Sequence, residues 1–152
     1  STFTGASMRL EKVFQRKGLQ VFKDFAHSPS KVKATVKAVK SQFEDSKVIA
    51  VLELHTFSSL NKSFLTEYKN TMNGVEVALV YFDPNAIVHK KLEDLSTALV
   101  FNSFNRADLK VLTSPNQISE SIELEITANT IVLFMSSGNF GGLNLEVFSK
   151  QL

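Results

Sequence analysis

The sequence predicts an α/β domain with a mostly parallel sheet. Three observations carry this expectation: continuous apolar runs separated by helical patterns, a hydrophobic share of 43% with 21% charged residues, and a length of 152 residues. Such a length suits one domain with a real core, and the composition is that of a folded globular chain. Apolar runs that do not alternate with polar residues mark strands covered on both faces, which is the property of parallel sheets flanked by helices.

Met8 to Phe14 and Leu19 to Phe25 are rich in β-formers, and Gln15-Arg16-Lys17-Gly18 between them supplies a turn, so an N-terminal β-hairpin is expected. Ser28 suits a helix N-cap and Pro29 its first turn. Val32, Val36, Val39 and Phe43 then recur at helical spacing on one narrow stripe. Lys33, Lys37 and Lys40 lie beside that stripe and read as a solvated face. Val48 to Leu52, Val75 to Phe82 and Thr130 to Met135 are strand-like runs, with a shorter one at Leu109 to Leu112. Helical patterns are expected at Phe64 to Met72, Thr97 to Phe104, Asn116 to Ile126 and Leu143 to Lys150. Strands alternating with helices give a Rossmann-like, three-layer domain over residues 1–152.

Composition also excludes several functions. With 17 basic and 15 acidic residues interspersed, there is no basic tract to neutralise a phosphate backbone, so no nucleic-acid partner is expected. The absence of cysteine removes disulfides, thiolate catalysis and cysteine-based metal sites. No apolar stretch reaches the ~18 residues that a membrane span needs, and the start, Ser1 to Gly5, carries no leader signal. The expectation is a soluble, cytoplasmic domain without a membrane partner. The chain begins without Met, as a segment of a longer protein would.

In open α/β sheets, ligands gather at the carboxyl ends of strands. That rule selects the loops Asp24 to Pro29, Glu53 to Asn61, Asp83 to Asn85 and Ser136 to Gly142. Asp24 and His27 precede a capped helix, where a carboxylate and an imidazole could hold ribose hydroxyls, a metal-bound phosphate or an amine. They could equally satisfy backbone groups of a tight turn. His55 is either a second site imidazole or a hydrogen-bonded surface residue, and Ser59 or Asn61 can cap the next helix. His27 and His55 lack metal-ligand spacing and a third ligand, so no metal site is expected. The last loop holds three of the six glycines, and such a loop either cradles an anion or makes a tight connection. Of the thirteen Phe residues, Phe140 stands apart, as a pocket wall or a buried anchor of this loop.

These loops resemble, in order, the motifs of the Mur ligases. Asp24-Phe25-Ala26-His27-Ser28-Pro29 is similar to their D-[YF]-A-H-x-P segment, and Phe3-Thr4-Gly5 with Arg9-Leu10-Glu11 to the F-x-G…R-R-x-E entry of their third domain. Val51 to Ser58 is similar to the strand and H-x-[YF]-[ST] loop, and Met135 to Gly142 to the M-S-x-G-x-F-G-G ending of members that act on the murein tripeptide. Met8 replaces the first arginine of the entry motif, Ser28 a histidine, and Thr56 and Ser59 the arginines of the histidine loop. The G-K-[ST] phosphate loop is absent.

The resemblance implies the third domain of a three-domain, ATP- and Mg²⁺-dependent ligase. It would join UDP-N-acetylmuramate to a recycled murein tripeptide through an acyl-phosphate, with the amino-terminal and central domains as partners. The alternatives are the L-alanine-adding counterpart and a non-catalytic nucleotide-binding or interaction module. By the same resemblance, Asp24 and His27 would contact ATP, and His55, Ser58, Ser136, Asn139 and Phe140 the peptide. No catalytic residue is expected within this domain alone.

Overall fold

The computed structural model describes residues 10–152. Phe3-Thr4-Gly5 and Arg9 of the proposed entry motif, and the first two residues of the expected hairpin, lie outside them. A six-stranded sheet has the order β1-β2-β6-β3-β4-β5. Strand β1 (Glu11–Arg16) pairs antiparallel with β2 (Leu19–Asp24), and every other pairing, among β2, β3 (Lys47–Glu53), β4 (Val77–Tyr81), β5 (Lys110–Leu112) and β6 (Thr130–Met135), is parallel. The predicted sheet and hairpin are present.

Side-chain alternation divides the core into two layers. Phe22, Val48, Ala50, Leu52, Val80 and Leu133 face one side, covered by α1 (Pro29–Gln42) through Val32, Val36 and Val39, and by α3 (Thr97–Phe104) through Val100 and Phe104. Leu19, Val21, Ile49, Val51, Val132 and Phe134 face the other. There α4 (Pro115–Glu123) contributes Ile118 and Ile122, and α5 (Leu145–Ser149) contributes Phe148. The apolar runs in β3 and β6 are buried on both faces because helices cover both.

Local signals explain most helix ends. Ser114 and Gln117 form a reciprocal capping box that starts α4, and Ser96 caps α3 by accepting from the Leu99 amide. Asn105 ends α3 in the left-handed conformation, which asparagine tolerates well. Ser28 occupies the N-cap position of α1 without a side-chain cap bond, and Pro29 at the first helical position fixes the start instead.

Three expectations are corrected. Phe64 to Met72 is not an α-helix; only a 3-10 turn, Leu65–Tyr68, forms. Lys69 is extended and Asn70 takes a left-handed φ of 65°, which ends the helical path after one turn. Leu65, Tyr68 and Met72 are nevertheless buried, so the apolar spacing reports burial rather than helix. The segment from Asp83 to Asn85 is not a simple loop. Asp83 accepts from the Asn85 amide and caps a further helix, α2 (Pro84–His89). The closing helix is also shorter than Leu143 to Lys150.

The lysine face of α1 is partly structural. Lys40 Nζ lies 2.8 and 3.0 Å from the two Glu76 carboxylate oxygens, and Glu76 Oε1 accepts from the Val48 amide at 2.7 Å. Burial alone would raise the Glu76 pKa, but the Lys40 hydrogen bond and charge and the Val48 amide outweigh it and hold the carboxyl below its usual value. A folded-state pKa below the unfolded one contributes stability above the unfolded value and loses it as pH falls through the folded value. Urea titrations across the acid range should therefore show a shallower loss of stability for Glu76→Gln than for the parent chain.

Candidate functional site at the carboxyl edge

Strand order brings three expected loops together. β2 and β3 both flank β6, and Met135 is in register with Asp24 on one side and Leu52 on the other. The ends of β2, β6 and β3 are therefore adjacent, at the point where the order of strand addition switches from the β3-β4-β5 progression back to β6 on the other side of β3. The Ser136 amide donates to the Asp24 carbonyl at 3.1 Å, which stitches the Asp24 to Pro29 and Ser136 to Gly142 loops at their base.

Asp24 is buried, with 4% of its surface exposed. Its Oδ1 accepts from the Ala26 amide at 2.9 Å, while Oδ2 is buried without a hydrogen-bond partner among the described residues. A buried carboxylate oxygen left unsatisfied costs free energy unless a ligand donor meets it. His27 Nδ1 lies 2.8 Å from the Phe25 carbonyl. A carbonyl can only accept, so Nδ1 carries the proton and Nε2 remains as the second polar atom of the ring. The His27 carbonyl accepts from the hydroxyl of Tyr68, whose ring stacks on Phe104 at 5.3 Å. Burial raises the Tyr68 pKa well above its ordinary value, so this donor stays protonated.

The glycine loop closes over the opposite layer. Glu53, the last residue of β3 and 4% exposed, accepts through Oε1 from Ser136 Oγ at 2.6 Å and from the Phe140 amide at 2.9 Å. Phe140 is buried, with its ring edge-on to Phe134 at 5.1 Å, and belongs to the 3-10 turn Phe140–Gly142. It is both anchor and wall: the same residue lines a cleft of about 790 Å³ with Asp24, Ser136, Gly138 and Asn139, between β1 and the start of α5. Tyr81 pairs in register with Glu53. Burial, then the Asp83 and Glu53 carboxylates, push its hydroxyl up to about 12, so it is neutral at physiological pH.

The structure therefore brings Asp24, Ser136, Asn139 and Phe140 to one cleft. His27, His55 and Ser58 are not among its lining residues. His55 instead faces Glu53, with Nδ1 3.8 Å from Oε2. Ser58 is exposed in a turn closed by Thr56 and Ser59, where the Thr56 amide donates to Ser59 Oγ at 3.0 Å and the Ser59 amide to Thr56 Oγ1 at 3.1 Å. Asn61 serves as a local cap, accepting from the Ser63 amide at 2.9 Å. Glu53 was not singled out from sequence. Its signal is a lone acidic residue ending an otherwise apolar strand. Among the described residues no group of three acidic or histidine side chains could hold a metal ion, and no helix is long and apolar enough to cross a membrane.

A mostly parallel sheet with an antiparallel hairpin at one edge and helices on both faces defines an α/β, Rossmann-like domain. Residues 8–138 match the family described as Mur ligase, glutamate ligase domain, and the chain belongs to this family. It is 35% identical to a UDP-N-acetylmuramate--L-alanine ligase of Chlorobium luteolum over 97% of its own length and 33% of that protein. The chain thus spans about a third of the curated relatives it matches. The murein peptide ligase of Psychrobacter arcticus shares the fold at a TM-score of 0.72 and 21% identity, with 97% of this chain and 30% of that one covered. A separately solved domain from a Haemophilus ducreyi ligase aligns along 100% of its length and 95% of this chain, at a TM-score of 0.62 and 20% identity. A Thermotoga maritima MurF ligase in complex with ADP matches at 0.55 and 18%, covering 95% of this chain and 30% of that one.

Proposed function

We propose that this chain is the carboxy-terminal domain of a three-domain ligase that joins a recycled murein tripeptide to UDP-N-acetylmuramate. The observation that supports a peptide is the cleft beside the glycine loop. At about 790 Å³ it falls in the range of pockets that enclose sizeable ligands, far larger than a single alanine requires. Lys12, Lys23, Glu11 and Glu146 among its lining residues place both signs of charge where a zwitterionic peptide would lie. Ser136, Asn139 and Phe140 would contact that peptide, with His55 and Ser58 on the flanking loop.

ATP supplies the activating phosphoryl group: its terminal phosphoryl passes to a muramate carboxylate oxygen as ADP leaves, and the peptide amine then attacks the carbonyl carbon, loses a proton and displaces phosphate. The unsatisfied Oδ2 of Asp24 fits a ribose hydroxyl, and His27 Nε2 can take a second polar contact. Mg²⁺ does not fit the described residues, which offer no ligand cluster, and is assigned to the central domain. Phe25 and Phe57 are 65% and 62% exposed near this edge and suit the surface on which a central domain closes. Catalysis on this domain's side is positioning and exclusion of water rather than covalent chemistry.

ATP-dependent phosphate release by the full-length enzyme should require the tripeptide. Release driven by L-alanine alone supports the second reading, an L-alanine ligase, which the Chlorobium relative favours. Asp24→Ala in that enzyme should raise the KM for ATP by about tenfold, the equivalent of one charge-assisted hydrogen bond, while moving the peptide KM less. Steady-state titration of each substrate reads the difference.

A further inference from the structure

Among the described residues, Glu53 is the carboxylate that joins two of the site loops, and the proposed function gives it no role. Burying a carboxylate is unfavourable unless hydrogen bonds replace its water. Here the replacements come from far along the chain: Ser136 Oγ and the Phe140 amide both donate to Oε1, and Oε2 faces His55 Nδ1 at 3.8 Å. Position 53 continues the apolar series of Ile49 and Val51 on the same sheet face, where a branched aliphatic residue would suit packing alone.

Two features of the loop make sense around this carboxylate. Phe140 has a φ of 55°, an unusual conformation for a large residue, and its amide is aimed at Glu53. At Gly138 a Cβ would stand 2.9 Å from Glu53 Oε1 and 2.8 Å from His55 Cγ, so the backbone reaches the Glu53–His55 pair only because this residue has no side chain. The loop is shaped to fit against Glu53.

We propose that Glu53 is a positioning residue for the incoming amine: it fixes the Ser136 to Phe140 loop in the conformation that presents Asn139 and Phe140 to the cleft, and it ties that loop to the one bearing His55. This rests on the assignment of the cleft to the amine substrate. A carboxylate side chain suits the task because Oε1 accepts, and both loop groups are donors.

The test uses the full-length ligase, after the wild-type enzyme has shown which amine, tripeptide or L-alanine, drives phosphate release. Glu53→Ala should raise the KM for that amine about tenfold or more and leave the KM for ATP within about twofold, while Glu53→Gln, which keeps an acceptor oxygen, should recover most of the loss. Hydrogen exchange should show residues 136–142 losing protection in Glu53→Ala while β6 keeps its own. If Glu53→Ala does not fold, Gly138→Ala displaces the intact carboxylate and should give the same amine-selective rise. An unchanged amine KM, parallel rises for amine and ATP, or unchanged protection of the loop overturns the proposal. A wild-type enzyme that uses L-alanine overturns the tripeptide reading alone, and Glu53 is then judged on the L-alanine KM.

Discussion

Phe140→Ala should cost the domain about 3 kcal/mol of stability and cripple use of the peptide substrate. Its ring is 3% exposed and packs edge-on against Phe134 in the layer beneath α4 and α5, so truncation removes a buried aromatic side chain and leaves a cavity. Part of that cost comes from lost transfer energy and part from the edge-to-face contact, worth about 0.5–1.5 kcal/mol beyond area. Alanine inherits the same left-handed backbone without the ring that anchors it. The loop should therefore loosen where the cleft is walled. At a temperature where the variant remains folded, the peptide KM should rise more than the ATP KM; equal losses would place the loop elsewhere in the reaction. Phe140→Leu, which refills part of the volume, should fall between parent and alanine in both unfolding and peptide titrations.

Gly18→Ala should destabilise the fold by about 3 kcal/mol, without selective effect on either substrate. Gly18 turns the β1-β2 hairpin at a φ of 81°, where a side chain costs about 1–2 kcal/mol of strain. A Cβ would also stand 2.3 Å from the Ala128 carbonyl oxygen, which is backbone and cannot rotate away. Relief requires the hairpin to move from the segment that leads into β6, where the Thr130 amide donates to the Gly18 carbonyl at 2.8 Å. The denaturation midpoint should drop with an unchanged slope, as expected when native contacts are lost without a change in surface exposed.

The sheet was legible because its strands are continuous apolar runs: β3 reads Val48-Ile49-Ala50-Val51-Leu52, and each of those residues is buried. The hairpin was legible from Gly18 and α1 from Pro29. Side-chain spacing located α3 at Thr97–Phe104 but misled in the segment after β3. Leu65, Tyr68 and Met72 are buried as a helix stripe would bury them, yet the backbone leaves the helix at Lys69 and Asn70. In α2 the opposite happened. Asp83 and Pro84 are good start signals, but a six-residue helix burying only Ile87 leaves almost no periodicity to read.

The site was legible in parts and not in its connections. Asp24, Ser136 and Phe140 could be placed at strand ends because strand ends are local features. That they share a cleft depends on β6 lying between β2 and β3, a long-range pairing that no local pattern encodes. Glu53 escaped for the same reason. Its partners Ser136 and Phe140 lie 83 and 87 residues away, and nothing near position 53 in sequence hints at them. His55 and Ser58 illustrate the converse: neighbours in sequence to a site residue, they stay outside the cleft itself.

The most direct measurement is a crystal structure of the full-length enzyme with a non-hydrolysable ATP analogue and the tripeptide. The peptide should occupy the cleft bounded by β1, the end of β2 and the Ser136 to Gly142 loop, with Phe140 against it and the nucleotide ribose at Asp24. A peptide bound away from that cleft, or a nucleotide that makes no contact with Asp24 or His27 when the domains are closed, would contradict the assignment of this edge as the ligase's closing half-site.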